Sequence, residues 1–259
     1  MSKIGKALSK AKQESAHLER SGGGKILEVS PTHPEPGTQL TSVQQPRRSQ
    51  LERHRVLNSI KDQHVLDAYN LLRTQILQKT AATRLNSIMV TSPGPGEGKT
   101  TTAINLGLSL ARNEQYTALV VDMHLRSPKL HHYLDMKCSR GVTDYLLNGA
   151  SIAELLVSPN EKSFVVLPSG NCVQVSTEIL SSKAMKGLVH ELKTRYSDRY
   201  VLFDCPHLLN MPDALVFSSY VDAVLLVVEA DRTTHEDVQK ALKVLEGQRI
   251  LGLVLNKYR

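Results

Sequence analysis

Twenty-five residues, Ser87 to Ala111 (SIMVTSPGPGEGKTTTAINLGLSLA), restrict what this chain can become more than any other segment. Five residues suited to a buried strand run into a turn containing Gly94, Gly96 and Gly98, and a helix is expected to open at Lys99. Glycines in such a turn adopt backbone conformations closed to other residues, so that successive N–H groups can point inward at one anion. The helix N-terminus adds partial positive charge at the same place. Lys99 can then reach the terminal phosphates of a nucleotide, and the Thr100 hydroxyl can ligate magnesium. Pro93 stands where the usual pattern has its first glycine. Gly94, Pro95, Gly96, Glu97, Gly98, Lys99, Thr100 and Thr101 are therefore the expected cradle for ATP and magnesium.

A strand–loop–helix of this kind needs a sheet covered on both faces. The rest of the sequence supplies one, because short β-branched runs alternate with helical stretches. Further strands are expected at Ala118–Asp122, Phe164–Leu167, Tyr200–Asp204, Ala223–Val228 and Ile250–Leu255, after the first at Ser87–Thr91. Helices are expected at 64–79, Lys99–Arg112, Ile152–Val157, Glu178–Tyr196 and Thr234–Glu246, the first with Val65, Tyr69, Leu72 and Ile76 on one face. The low aromatic content, 4% with no Trp, suits a core of aliphatic side chains. The fold class read from this is α/β, a doubly wound, mainly parallel sheet. Ligands of such sheets bind at the carboxyl ends of the strands. Two later strands end there in aspartate, Asp122 of LVVD and Asp204 of VLFD, and either carboxylate can hold magnesium directly or through water.

Residues 1–64 carry 11 Lys and Arg against 6 Asp and Glu, whereas residues 65–259 carry 21 against 19. The surplus of the +7 chain is thus concentrated in its N-terminal part. Residues 1–61 read as a basic tail and linker, with a short helix possible at 3–19 and a flexible stretch rich in Gly, Pro, Ser and Gln from Ser21 to Gln50. A basic tail can meet acidic lipid, nucleic acid or an acidic protein, but as a solvated linker it gives no reason to expect nucleic acid. The folded part is expected over 62–259. Cys138, Cys172 and Cys205 form no CxxC and read as reduced thiols. The longest apolar run, Ala223 to Val228, is far short of the ~18 residues a membrane span needs. A cytoplasmic protein is expected. The neighbours His131 and His132, with no cysteine to match, read as surface residues and not as metal ligands.

From about residue 64 to 257 the sequence resembles the bacterial tyrosine kinases, P-loop proteins that regulate capsular and exopolysaccharide synthesis. It looks closest to the branch found beside exosortase-type gene clusters. The resemblance is carried by TSPGPGEGKTTTAINL, VVDMHLRSPKLH from Val120, GVTDYLLNG from Gly141, LPSGN and EILSS between Leu167 and Ser182, VLFDCP from Val201, DAVLLVVEA from Asp222 and GLVLNK from Gly252. It implies a P-loop NTPase with deviant Walker motifs: Walker A at Gly96–Thr101, Walker A′ at Asp122 and Walker B at Asp204. Asn256 would lie near the base, and Arg126 could contact phosphate or a neighbouring subunit, with a surface ion pair as the competing reading. Lys99, Asp122, His124 and Asp204 would be catalytic, and Thr100, Asp122 and Asp204 would hold the metal. The implied activity is ATP-dependent phosphorylation of protein tyrosine, with a membrane-bound chain-length determinant protein as partner, a homo-oligomeric assembly, and recruitment to the inner membrane through that partner.

The family's Walker A′ usually reads Asp-x-Asp, and here its second position is His124. The second proline of the usual Walker B Pro-Pro is His207, and the Glu-x-x-Arg-x-x-Arg of some relatives corresponds to Asp67, Asn70 and Arg73. Many relatives carry a C-terminal tyrosine cluster, where this sequence has Tyr258. Two other functions stay open. One is a nucleotide-gated binding module without phosphotransfer. The other is a partition or septum-positioning ATPase, which usually carries a second lysine at the place of Gly94.

Overall fold

The computed structural model describes residues 42–83 and 85–258. The helix considered at 3–19 and the linker residues 21–41 lie outside the described residues. Eight strands make one sheet: β1 (Ser42–Val43), β2 (Ser87–Thr91), β3 (Thr117–Asp122), β4 (Val157–Ser158), β5 (Phe164–Leu167), β6 (Arg199–Asp204), β7 (Ala223–Glu229) and β8 (Ile250–Asn256). Their order across the sheet is β1-β4-β5-β3-β6-β2-β7-β8, parallel throughout except for β4 against β5. The helices are α1 (Arg48–Arg53), α2 (Gln63–Thr80), α3 (Lys99–Ala111), α4 (Leu130–Tyr133), α5 (Val142–Asn148), α6 (Ile152–Leu155), α7 (Ser176–Leu180), α8 (Lys183–Thr194), α9 (Pro212–Ser218) and α10 (His235–Val244).

Side chains alternate across the pleat, so each inner strand feeds two cores. On β2, Met89 joins Leu119, Val121, Val201 and Phe203 beneath α8 and α9, whereas Ile88 and Val90 join Val120 and Leu202 beneath α2 and α3. Burial on both faces explains why the inner strands are continuous apolar runs. Strand β8 is different. It lies at the sheet edge, and Leu253 and Leu255 are exposed on it.

Pairing fixes the site. Strand β6 lies between β2 and β3, and its last residue is opposite both Val90 and Asp122. Asp122 and Asp204 are thereby placed side by side, Asp204 on the strand beside the turn that follows β2 and Asp122 one strand further.

Three sequence expectations differ from the structure. The helix expected at Ile152–Val157 ends at Leu155, because Val157 enters the sheet opposite Val166 as part of β4. The single helix expected over Glu178–Tyr196 is two, α7 and α8. The second begins afresh at Ser182, whose hydroxyl accepts the Met185 N–H at 3.2 Å. Finally, residues 42–61, read from sequence as linker, are folded. Val56 and Leu57 are buried against α3, and each such side chain contributes roughly 1.5–3 kcal/mol. Asn105 of α3 accepts the Leu57 N–H at 2.8 Å and donates to the Arg55 carbonyl at 2.9 Å. The segment has no hydrophobic period of its own because its few apolar residues act as single plugs.

Candidate functional site

The phosphate loop joins β2 to α3. Two of its three glycines need a left-handed backbone, Gly96 at φ 79° and Gly98 at φ 97°. Gly98 is also confined sterically, since a Cβ there would stand 1.9 Å from Asn256 Nδ2. That amide donates to the Glu97 carbonyl at 2.8 Å. Glu97 is buried and braces the loop from within. One oxygen accepts the Gly94 N–H at 3.0 Å, and the other accepts the Thr233 hydroxyl at 2.5 Å. Lys257 donates to the Gly96 carbonyl at 2.8 Å while pairing with Glu229 at 3.0 Å. The open cradle is therefore held from outside by residues at and just after the ends of β7 and β8.

Lys99 and Thr100, the first residues of α3, are buried. Burial pulls the Lys99 pKa down, and the Asp204 carboxylate opposes this. Asp204 is wholly buried, and neither of its oxygens has a hydrogen-bond partner. Burial raises its pKa; His124 and Lys99 pull the other way, while Asp122 adds to the rise. The Thr100 hydroxyl also lies near enough to lower it, without closing a hydrogen bond at strict geometry.

Asp122 is its opposite. One oxygen accepts the His124 N–H at 3.0 Å and faces His124 Nδ1 at 3.3 Å; the other accepts the N–H groups of Lys129 and Leu130, each at 3.0 Å. All four acceptor positions of this carboxylate are in use. Burial would raise Asp122, but the His124 imidazole and the N–H groups of Leu130 and His124 outweigh it and hold the pKa low. Asp122 thus fastens the loop from His124 to the start of α4. His124 Nδ1 lies 3.4 Å from Asp204 as well, and its Nε2 is buried without a partner.

Among the described residues, Asp122, His124 and Asp204 are the one group of three whose ligand atoms lie within 4.8 Å of one another. A carboxylate with two unsatisfied oxygens beside a threonine hydroxyl suits a hard, oxygen-seeking cation such as magnesium. The imidazole does not, and the oxygens of Asp122 are already engaged.

Arg126 is not part of this cradle. Its guanidinium meets the buried Asp213 at 3.1 Å and the hydroxyls of Ser176 and Thr177 at 2.6 and 3.3 Å. Burial would raise Asp213, but Ser176, Arg126 and Thr177 hold its pKa low. Asn70 and Arg73 both bond Ser109 of α3. His207 stands beside the site, its pKa lowered by burial and then by Lys99, His124 and Lys129. Sequence reading did not find Thr233, Glu229 or Lys257. Nothing in the string signals that a threonine far along the chain will close on Glu97.

A family profile described as "AAA domain" matches residues 86–249. Tyrosine-protein kinase YwqD of Bacillus subtilis (strain 168) is 34% identical over 192 residues, covering 73% of this chain and 80% of that protein. The chain belongs to the bacterial tyrosine kinase family. Among solved structures, the chimerical protein CapA2B2 superposes with a TM-score of 0.73 at 28% identity, covering 85% of this chain and 93% of the chimera. The septum site-determining protein MinD of Pyrococcus horikoshii OT3, solved with Mg-ADP, gives 0.57 at 25%, covering 67% and 70%. The fold is that of the P-loop NTPases, and membership of this kinase family implies that the loop binds ATP. No helix among the described residues is long and apolar enough to cross a membrane.

Proposed function

We propose that the protein is an ATP-dependent protein-tyrosine kinase acting in exopolysaccharide synthesis and export, with the exosortase-associated branch as its place in the family. The observation that carries the reading is the buried Asp204 carboxylate, unsatisfied on both oxygens, at the mouth of a loop that presents Lys99 and Thr100. Lys99 would take the β- and γ-phosphates, and Asp204 and Thr100 would hold the metal. Magnesium, when bound, offsets charge on the γ-phosphate and its leaving group. Asp122 organises the loop around His124, and its own acceptor positions are already filled.

His124 supplies the proton acceptor. Its Nδ1, within 3.4 Å of carboxylates on two sides, carries the proton in the neutral ring. The lone pair is then on Nε2, which has no partner in the protein. A tyrosine hydroxyl brought to it passes its proton to Nε2 as its oxygen bonds the γ-phosphorus and the bond to the β-phosphate oxygen breaks, releasing ADP. A membrane-bound chain-length determinant protein is the proposed partner, and self-assembly into a homo-oligomer brings tyrosine and site together.

A second reading is favoured by the same His124. An imidazole in place of the usual carboxylate also suits a module in which ATP changes shape or partner and transfers nothing. Mass spectrometry of the protein after incubation with ATP and magnesium separates the two. Phosphotyrosine that disappears in Asp204→Asn supports the kinase. Tight ATP binding with no phosphotyrosine supports the module.

A further inference from the structure

Residues 44–54 and 131–137 form a cleft of about 880 Å³ that shares no lining residue with the phosphate loop. The two walls are fastened to each other. Arg47 forks onto Asp135 with contacts of 2.7 and 2.8 Å, and its backbone N–H reaches the same carboxylate at 3.0 Å. Gln44 exchanges two hydrogen bonds with the backbone of Lys137, at 3.0 and 2.8 Å. This strap spends the cleft's own carboxylate, because Asp135 is matched by Arg47. Its pKa is held down to about 2 by that pairing. Nearby Glu52 is taken by Arg48 at 3.0 Å.

Apart from the amides of Gln45 and Gln50, the remaining polar side chains are cations or imidazoles. Arg53, His54, His131, His132 and Lys137 line the space, and neither Arg53 nor Lys137 has a salt-bridge partner among the described residues. The rings are crowded together. His131 and His132 have centroids 3.9 Å apart, and His54 stacks on Tyr133 at 4.5 Å. Two cations without a salt-bridge partner among the described residues, beside clustered imidazole N–H groups, leave the cleft rich in donors and short of anionic acceptors. A dianion with several acceptor oxygens answers that arrangement better than a single carboxylate. The volume exceeds a bare phosphate, and the His54 ring, which lines the cleft and is backed by Tyr133, offers a surface for a ring attached to it.

We propose that this cleft binds a phosphate monoester carried on a ring. Two sources share that chemistry, a phosphorylated tyrosine side chain and a small sugar phosphate. Burial, then Arg53 and His132, lower the His54 pKa, while Tyr133 stacks on its face. His131 is lowered by burial and His132 and raised in part by Asp122 behind it. Both rings therefore gain charge only as the pH falls below the ordinary histidine value.

The test is calorimetric titration of the full chain, in saturating magnesium–ADP to cover the phosphate loop, with O-phosphotyrosine and with glucose 1-phosphate. One saturable site per chain is expected for at least one probe, and which probe binds names the source. Arg53→Gln combined with His132→Gln should weaken it at least tenfold while leaving ADP affinity unchanged. Lys137→Glu, an exposed charge reversal, should do the same and guards against misfolding of the double variant. Tyrosine O-sulfate, whose charge is constant over the range, should bind severalfold more tightly at pH 5.5 than at pH 8. Absence of saturable binding by both esters overturns the proposal. So does binding that neither set of substitutions weakens.

Discussion

Asp204→Asn should make the nucleotide-free protein more stable while removing its response to nucleotide. The native carboxylate has lost its water and gained no hydrogen bond, so in the empty protein its charge is a burden. An asparagine of nearly equal shape removes that charge. Lys99 loses one attraction by the change, but no direct Lys99–Asp204 ion pair exists to be broken. The balance is a gain of about 1–3 kcal/mol. For a domain of this size that is about 2–4 °C in Tm per kcal/mol. The wild type in magnesium–ATP at a hundred times its Kd should gain about 2.7 kcal/mol by mass action. The variant should gain almost nothing. The pH dependence has a definite sign. Because the folded pKa of Asp204 lies above the unfolded one, its contribution to stability is present below the unfolded value and lost as pH rises through the folded value. Lowering the pH from 7 toward 4 should therefore narrow the gap between the empty wild type and the variant. Thermal unfolding of both proteins, with and without magnesium–ATP across this range, is the assay. An empty variant less stable than the wild type, or one that still rises with magnesium–ATP, would refute the assignment of Asp204 as the open metal-facing carboxylate.

Lys99→Ala should weaken ATP binding at least tenfold with the fold intact, and calorimetry giving equal affinities would remove Lys99 from the cradle. Gly98→Ala forces a side chain to φ 97° and into Asn256, so it should displace that amide from Glu97 and weaken nucleotide binding. It should also cost about 1–2 kcal/mol in stability, read by denaturant unfolding; a neutral result would show that the loop does not need this contact. If the imidazole of His124 accepts the tyrosine proton, His124→Gln, whose amide cannot take it, should lower phosphotyrosine formed per ATP at least tenfold while ATP affinity stays the same. Undiminished phosphotyrosine in that variant, read by mass spectrometry, would exclude the ring as base.

Much of the fold was readable because buried parallel strands carry their identity locally. The six inner and long strands expected from β-branched runs appear at their places, shifted by a residue at most at either end. The phosphate loop and the two strand-end aspartates were readable for the same reason: each is a local string. What the string concealed depends on contacts between distant segments. Val157 reads as the end of a helix until β5 offers it a partner. Residues 42–61 read as linker because Arg47, Val56 and Leu57 act singly, on Asp135 and on α3. The chemical difference between Asp122 and Asp204 was equally hidden. Both end an apolar strand, yet one has every acceptor position filled and the other has none, because only the loop after β3 turns its N–H groups back onto the carboxylate.

The alignment of Asp122 with Asp204 across β3 and β6 has a consequence for how the site tolerates change. Neighbouring strands are about 4.8 Å apart wherever a ladder forms, so the spacing of these two carboxylates is a property of backbone pairing and not of any side-chain packing. Substitutions in either core can tilt helices and shift loops without altering that interval. The lysine, threonine and imidazole that face it are placed instead by side-chain and loop contacts, Glu97 and Asn256 on the phosphate loop and Asp122 on the segment carrying His124. The carboxylate half of the site therefore works as a fixed ruler, and adaptation to a new acceptor or partner has to come from the half whose position depends on those loop contacts.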